Sequence, residues 1–158
     1  MCALKDMNTI TTRLATLSDV NAIALLFDAY RQFYDQAPDI HLATNFIRER
    51  IQSNESMVLL AERQGQLLGF CQLYPTYCSI VAAPIYTLYD LYVTPEARKS
   101  GVGGALLVAA EQHAVHNGFV RMDLTTAKTN LRAQALYESL GWVRDEVFFS
   151  YSKVVQLE

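Results

Sequence analysis

Apolar positions change their spacing several times along the chain, and each spacing predicts a different element. Between residues 19 and 34 they recur every three or four positions, which predicts an amphipathic helix capped by Ser18. Residues 57–63 and 67–74 are strand-like and flank a short turn, so they predict a hairpin. The same patterns predict strands at 9–14, 85–93 and 120–125, helices at 42–52 and 103–117, a helix from the cap Asn130 to Leu140, one or two strands within 143–155, and a loop or a strand extension at 75–84.

This order of strands and helices predicts a mixed α/β sheet with helices on both faces. A chain of 158 residues with 51% hydrophobic and 18% charged residues suits a single globular domain, residues 1–158. A net charge of −3 argues against a nucleic-acid partner, because nucleic-acid-binding surfaces are basic. Without an apolar leader or a long apolar run, the chain is expected in the cytoplasm and not in a membrane. Its three cysteines, Cys2, Cys71 and Cys78, lack metal-ligand spacing, so we expect reduced thiols and no metal.

A glycine-dense segment, Arg98-Lys99-Ser100-Gly101-Val102-Gly103-Gly104, joins a predicted strand to a predicted helix. Bare backbone amides at a helix start form an anion site. A dinucleotide-binding G-x-G-x-x-G motif would need glycine where Leu106 stands, and a P-loop would need a lysine after the glycines, whereas Lys99 precedes them. The remaining alternatives are a phosphate-binding helix start and a structural start at which glycines allow close packing.

Two motifs resemble the GNAT superfamily of N-acetyltransferases. The segment from Arg98 to Gly103 matches the family's Q/R-x-x-G-x-G/A signature, and the segment from Asn130 to Trp142 resembles its N-x-x-A-x-x-L-Y-x-x-x-G-[FW] motif. The resemblance implies the GNAT fold, with a mixed, mostly antiparallel sheet of six to seven strands. It also implies acetyl-CoA as cosubstrate and direct acetyl transfer to an amine. The residues it assigns to the cofactor are Leu91, Tyr92, Val93, Arg98, Lys99, Ser100, Gly101, Val102, Gly103, Gly104, Asn130, Ala133 and Tyr137.

Three residues are the candidates for catalysis. The resemblance makes Tyr137 the general acid for the departing thiolate, although a tyrosine at helical spacing also suits a core. A backbone amide near Tyr92 is the candidate donor to the carbonyl oxygen, because relatives splay the strand at this point. Asp90 is the one carboxylate in its strand, and it is either the general base or a structural residue.

The acceptor is expected to be a primary amine of a small molecule, polyamine-like or amino-acid-like. Residues 70–77 and 88–93 look like the corresponding strands of diamine (spermidine/spermine) acetyltransferases, except that Tyr89 replaces a glutamate of that pattern. Aromatic rings and carboxylates together suit an ammonium group, although each could instead pack the core or a turn. A silent acyl-CoA sensor and a protein or peptide N-acetyltransferase are the alternatives, and relatives suggest a homodimer. The candidate acceptor-binding residues are Tyr30, Tyr34, Asp35, Tyr74, Tyr77, Tyr89 and Asp90.

Overall fold

The structure of the protein, a computed structural model, describes residues 9–156 in two compact units that divide between Thr125 and Thr126. Within the first unit, residues 9–125 form a five-stranded sheet and three helices, and residues 126–156 of the second unit contain one helix. Cys2, which is expected to be a reduced thiol, lies outside the described residues. The elements are β1 (Thr11–Leu14), α1 (Val20–Phe33), α2 (Ile40–Gln52), β2 (Met57–Arg63), β3 (Gln66–Cys78), β4 (Ala83–Val93), α3 (Val102–His116), β5 (Met122–Leu124) and α4 (Leu131–Ser139).

The sheet runs in the order β1-β2-β3-β4-β5, and its neighbours are antiparallel except for the parallel pair β4 and β5. This pair is parallel because α3 crosses over between the two strands. The mixed, mostly antiparallel sheet is therefore confirmed. Of the two alternatives for residues 75–84, the strand extension is correct, since only residues 79–82 turn between β3 and β4.

Helices cover both faces of this sheet, as the sequence predicts. Phe70 packs with α1 and α2, whereas the neighbouring Cys71 contacts the Leu106 carbonyl of α3, with the sulfur 4.0 Å away. Successive residues of a strand point to opposite faces, so α1 and α2 cover one face and α3 covers the other. The core on the α1–α2 face contains Val20, Ile23, Ala24, Phe27, Ala43, Ile47, Val58, Leu60, Phe70 and Tyr92.

The first two helices start at residues other than those expected. Ser18 does not cap α1 but lies in a 3₁₀ turn, Leu17–Asp19, that precedes it. The Asp19 carboxylate accepts the Thr16 amide at 2.8 Å and closes that turn, which explains why the cap prediction was wrong. Helix α2 begins two residues early because Asp39 accepts the Leu42 amide at 2.9 Å and so caps it.

The strands expected within 143–155 do not form, so the described sheet has five strands where six to seven were expected. The Asp145 carboxylate accepts the amides of Val147 and Phe148 at 2.8 and 3.0 Å, which makes a local turn where pairing was expected to begin. The apolar side chains after this turn are exposed. Among the helices of residues 9–156, none has both the length and the apolar character that a membrane crossing requires.

Candidate functional site

A β-bulge interrupts β4 just before its carboxyl end. Gln72 of β3 pairs with Asp90, but the next residue, Leu73, pairs with Leu88, so Tyr89 is an extra residue with no partner in β3. On its other side, β4 pairs with β5 only through residues 86–88. The two strands therefore separate at the residue where the bulge begins.

The bulge reverses which face of the sheet the even-numbered residues of β4 occupy. Before the bulge, the Tyr86 hydroxyl lies 3.4 Å from Nε2 of His113 in α3, so Tyr86 is on the α3 face. After it, Tyr92 meets Tyr30 of α1 at a ring separation of 6.3 Å, on the opposite face. Asp90 shares the face of Tyr92, because residues two apart in a strand point the same way. Because of the bulge, the Asp90 carboxyl lies on the α1–α2 face.

The hydrogen-bond directions of β4 reverse in the same way. The Tyr86 amide donates towards β5, to the Arg121 carbonyl, whereas the Thr94 amide donates towards β3, to the Leu68 carbonyl. Amides alternate along a strand, so the Tyr92 amide also faces β3, and the Leu91 and Val93 amides face the side where β5 has separated. The donors next to Tyr92, and not Tyr92 itself, are therefore directed to the open edge of β4.

Asp90 is buried, with 4% of its surface exposed. Gln72 donates from Nε2 to Asp90 Oδ2 at 2.6 Å, and Ser56 donates to the other end of the Gln72 amide at 2.7 Å. Burial raises the pKa of Asp90, while hydrogen bonds from Gln72 and Tyr30 oppose the rise without cancelling it. A buried carboxyl with a raised pKa holds a proton more readily than an exposed one, which makes Asp90 a candidate for general acid–base chemistry.

Four of the predicted acceptor-binding tyrosines are in contact with one another on the α1–α2 face, and two of them, Tyr30 and Tyr74, interact with the Asp90 carboxyl. The Tyr30 hydroxyl, which hydrogen-bonds the Asp90 carboxyl, also lies 3.3 Å from the Tyr89 carbonyl oxygen, and the Tyr30 ring meets that of Tyr34 edge to face at 5.1 Å. Tyr74 meets Tyr89 edge to face at 5.8 Å, and burial together with the Asp90 charge raises its pKa to about 12. Tyr34 and Tyr89 are largely exposed, so the group presents aromatic surface to solvent beside a buried carboxyl.

Of the two other predicted acceptor-binding residues, Tyr77 is not brought to this group. Tyr77 lies three positions after Tyr74 in β3, so its side chain is on the α3 face, and it is 79% exposed. Asp35 is exposed in the turn after α1, with a positive φ of 60°.

The glycine-dense segment starts α3 at Val102, one residue before the predicted position. The first helical bond runs from the Ala105 amide to the Gly101 carbonyl, at 3.0 Å. The amides of residues 101–104 therefore have no acceptor within the helix. Gly101 has a φ of 89°, and no side chain caps the helix. These bare amides fit a phosphate group, because nothing of the helix's own occupies them.

Two of the side chains that precede these glycines, those of Arg98 and Ser100, hydrogen-bond backbone carbonyls of the protein. Arg98 donates from Nε to the Val93 carbonyl at 3.1 Å, and its guanidinium lies 5.9 Å from the centre of the Tyr92 ring. Ser100 donates to the Ala97 carbonyl at 2.6 Å. Lys99 is exposed and adopts a positive φ of 66°. Arg98 thus ties the glycine segment to the end of β4, a role that its sequence position alone did not indicate.

Three residues that sequence reasoning missed support this region. Gln72 and Ser56 form the hydrogen-bonded chain to Asp90, and Gly69 of β3 lies against the backbone of Tyr92 and the start of α3. Gln72 was detectable, because it is a lone polar residue in a buried apolar run of β3. Ser56 had no such signal, since serine is common in turns.

The second unit holds the remaining cofactor candidates. Asn130 accepts the Ala133 amide at 3.2 Å and caps α4, as predicted. Tyr137 is half-buried on the same helix, with its ring 6.0 Å from that of Trp142. Gly141 ends this segment with a φ of 86°, which suits glycine. Among residues 9–156, no group of three or more metal-ligating side chains comes together.

The model of the acetyltransferase (GNAT) family matches residues 21–142, which cover both sequence motifs. The chain belongs to the GNAT acetyltransferase family. It is therefore an acyltransferase, and the resemblance that the two motifs carry is confirmed.

Proteins named as acetyltransferases resemble the chain over most of its length. It is 45% identical to "Uncharacterized N-acetyltransferase YhfO" of Bacillus subtilis, over 88% of this chain and 93% of the relative. A "Probable acetyltransferase" of Haemophilus influenzae is 27% identical over 78% of this chain and 84% of its own. The crystal structure of a probable acetyltransferase superposes with a TM-score of 0.86 and 36% identity, over 95% of this chain and 99% of that one.

Proposed function

We propose that the protein transfers an acetyl group from acetyl-CoA to the primary amine of a small molecule, polyamine-like or amino-acid-like. The observation that carries the proposal is the bulge in β4. It directs the Leu91 and Val93 amides to an open strand edge and places the Asp90 carboxyl on the tyrosine-lined face. The cytoplasmic location and the homodimer stay predictions.

The cofactor's pyrophosphate is assigned to the amides of residues 101–104 at the start of α3. Backbone donors and the positive end of the helix both favour a phosphate there. Leu91 and Val93 offer their amide protons to the pantetheine arm and the acetyl carbonyl. A donor already fixed in a strand stabilises the charge that develops on that oxygen, because it needs no reorganisation.

Asp90 is assigned the proton that the amine loses, directly or through a water molecule. After the ammonium group has given this first proton to Asp90, the amine nitrogen bonds to the acetyl carbon, the carbon–sulfur bond breaks, and Tyr137 gives its hydroxyl proton to the departing sulfur. The nitrogen loses its second proton to solvent as it becomes an amide, and solvent restores the Tyr137 hydroxyl. The products are the N-acetylated amine and CoA. The faces of Tyr30, Tyr34, Tyr74 and Tyr89 favour an ammonium group before it is deprotonated, through cation–π contacts.

The first test measures cofactor binding and turnover separately. Calorimetry with acetyl-CoA checks the cofactor, and CoA release across polyamines, amino acids, aminoglycosides and short peptides identifies the acceptor. Absence of acetyl-CoA binding would overturn the proposal. Binding without thiol release on any amine would identify a sensor, and release on peptides alone would identify a peptide N-acetyltransferase.

Tyr137→Phe tests the proton donor. Turnover should fall by about 10²–10⁴, while the acetyl-CoA dissociation constant stays nearly unchanged, because only the hydroxyl is removed. Tyr151→Phe is the matched control, since Tyr151 is 90% exposed in the same unit. Equal turnover of Tyr137→Phe and the wild-type protein would remove this role.

A further inference from the structure

Gln72 is an amide buried in the middle of the sheet. It stands directly opposite Asp90 across the β3–β4 pair and has no exposed surface. Its neighbours in β3 are apolar and buried, so a leucine at this position would fill the same space without a hydrogen-bonding group. A buried amide costs free energy unless both its ends are bonded, and both ends of Gln72 are bonded.

The orientation of this amide is fixed by its two partners. An ionised carboxylate only accepts hydrogen bonds, so the nitrogen of Gln72 must face Asp90, at 2.6 Å. The oxygen then faces Ser56, whose hydroxyl donates to it at 2.7 Å. Ser56 lies between α2 and β2 and is half-buried. It is therefore the member of the Ser56–Gln72–Asp90 hydrogen-bonded chain that lies closest to solvent.

We propose that Gln72, oriented by Ser56, is a positioning residue for acetyl transfer that holds the Asp90 carboxylate in place and in its proton-accepting form. This inference rests on the proposed function, in which Asp90 accepts the amine proton. Gln72 donates to Oδ2, and Tyr30 supplies the other side-chain hydrogen bond to this carboxyl. The pair acts at the bulge, where β4 delivers the carboxyl to the acceptor face.

The groups that face Asp90 make Gln72 the main stabiliser of its charge. Tyr30 faces it from α1, and Tyr74 and Cys71 interact with it from β3. No lysine or arginine in residues 9–156 forms an ion pair with Asp90. The hydrogen bond from Gln72 is the largest influence that opposes the effect of burial on the pKa of Asp90, ahead of that from Tyr30. Removing it should raise this pKa further and leave less carboxylate at neutral pH.

The test is the pH dependence of kcat/KM for Gln72→Leu, measured with one amine whose own titration is the same for every variant. The acid limb should move to higher pH by about one to two units, because a charge-assisted hydrogen bond is lost. The KM for acetyl-CoA should not change. Leu73→Val is the matched core control, and its acid limb should stay at the wild-type position.

Ser56 provides a second pair of variants that disturb the core less. Ser56→Ala frees the Gln72 amide to turn and should move the acid limb in the same direction by a smaller amount. Ser56→Thr keeps the hydroxyl and should restore the wild-type limb. A purely structural role would lower stability in these variants without moving the limb. An unmoved limb together with an unchanged Asp90 pKa in folded Gln72→Leu or Ser56→Ala protein would overturn the inference.

A carboxyl-carbon NMR titration of Asp90 separates this inference from the proposed function. The experiment compares the wild-type protein with Ser56→Ala and Gln72→Leu, with labelled aspartate. If the Asp90 pKa rises in the variants while the rate profiles stay fixed, Gln72 tunes the carboxyl but Asp90 is not the base. If the Asp90 pKa does not rise, the inference itself fails.

Discussion

Gly69→Ala should displace the start of α3, because Gly69 lies in β3 directly against β4 and Val102. A Cβ at residue 69 would lie 2.5 Å from the Tyr92 carbonyl oxygen and 3.3 Å from both Val93 Cα and Val102 Cγ1. Ordinary contact begins near 3.5 Å, so the first overlap is about 1 Å. The closest atom belongs to the backbone of β4 and cannot turn aside as a flexible side chain would. Strand β4 and the start of α3 must therefore move.

Overpacking of this kind costs about 1–3 kcal/mol. Since about 1 kcal/mol shifts the Tm of a domain of this size by about 2–4 °C, a cost near 2 kcal/mol predicts a decrease of about 4–8 °C. The displaced atoms include Val93, whose amide faces the open edge, and Val102, the first residue of α3. We therefore expect acetyl-CoA binding to weaken by about tenfold, which corresponds to about 1.4 kcal/mol.

Circular dichroism melts and calorimetry with acetyl-CoA measure the two effects. The control is Gly65→Ala, because a Cβ there meets nothing within 4 Å and only the positive φ of 75° is strained. That strain costs about 1–2 kcal/mol, so the control should lose stability and keep the acetyl-CoA affinity of the wild-type protein. If Gly69→Ala retains both the wild-type Tm and the wild-type affinity, the close approach described here does not constrain the site.

Two further predictions concern other parts of the first unit. In a Cys2→Ser background, iodoacetamide should modify Cys78 and spare Cys71 in the folded protein. Backbone hydrogen bonds and Arg121 lower the pKa of Cys78, whereas burial raises the pKa of Cys71 to about 12. Mass spectrometry measures the labelling at each cysteine, and preferential labelling of Cys71 would contradict the prediction. Asp19→Asn should lower the free energy of unfolding by about 1 kcal/mol at pH 7. Arg13 holds the pKa of Asp19 below its usual range, so this difference should shrink as the pH falls below about 4, and urea melts giving equal stability at pH 7 would refute it.

Local signals in the sequence predicted some of the helix ends. Asn130 caps α4 because its side chain reaches an amide three residues away, an interaction that needs no other part of the chain. Gly118 and Gly141 end their segments with positive φ for the same local reason. The wrong prediction of Ser18 as the helix cap also has a local cause. The charged Asp19 carboxylate accepts the Thr16 amide in the turn that contains Ser18, and a charged acceptor forms a stronger hydrogen bond than a neutral one.

Features that depend on pairing between distant segments were not predictable in the same way. The expected strands within 143–155 have suitable apolar residues, but a strand needs a partner, and Asp145 offers the backbone a local turn instead. Tyr77 was grouped with Tyr74 because residues 70–77 resemble a strand of the diamine acetyltransferases. Their separation of three residues in a strand places them on opposite faces, and this became visible only once β3 was found to extend to Cys78.

The bulge explains why the alternation of β4 gave no clear sequence signal. In a regular strand, Leu88 and Asp90 would share a face, and Asp90 would point towards the apolar α3 face. With Tyr89 inserted, Leu88 pairs with Leu73 on the α3 face, while Asp90 pairs with Gln72 on the other. The same extra residue ends the pairing with β5 after Leu88 and exposes the amides that follow. One inserted residue thus accounts for the placement of the proposed base, its polar partner in β3 and the open strand edge, and it connects all three to the glycine segment that begins α3.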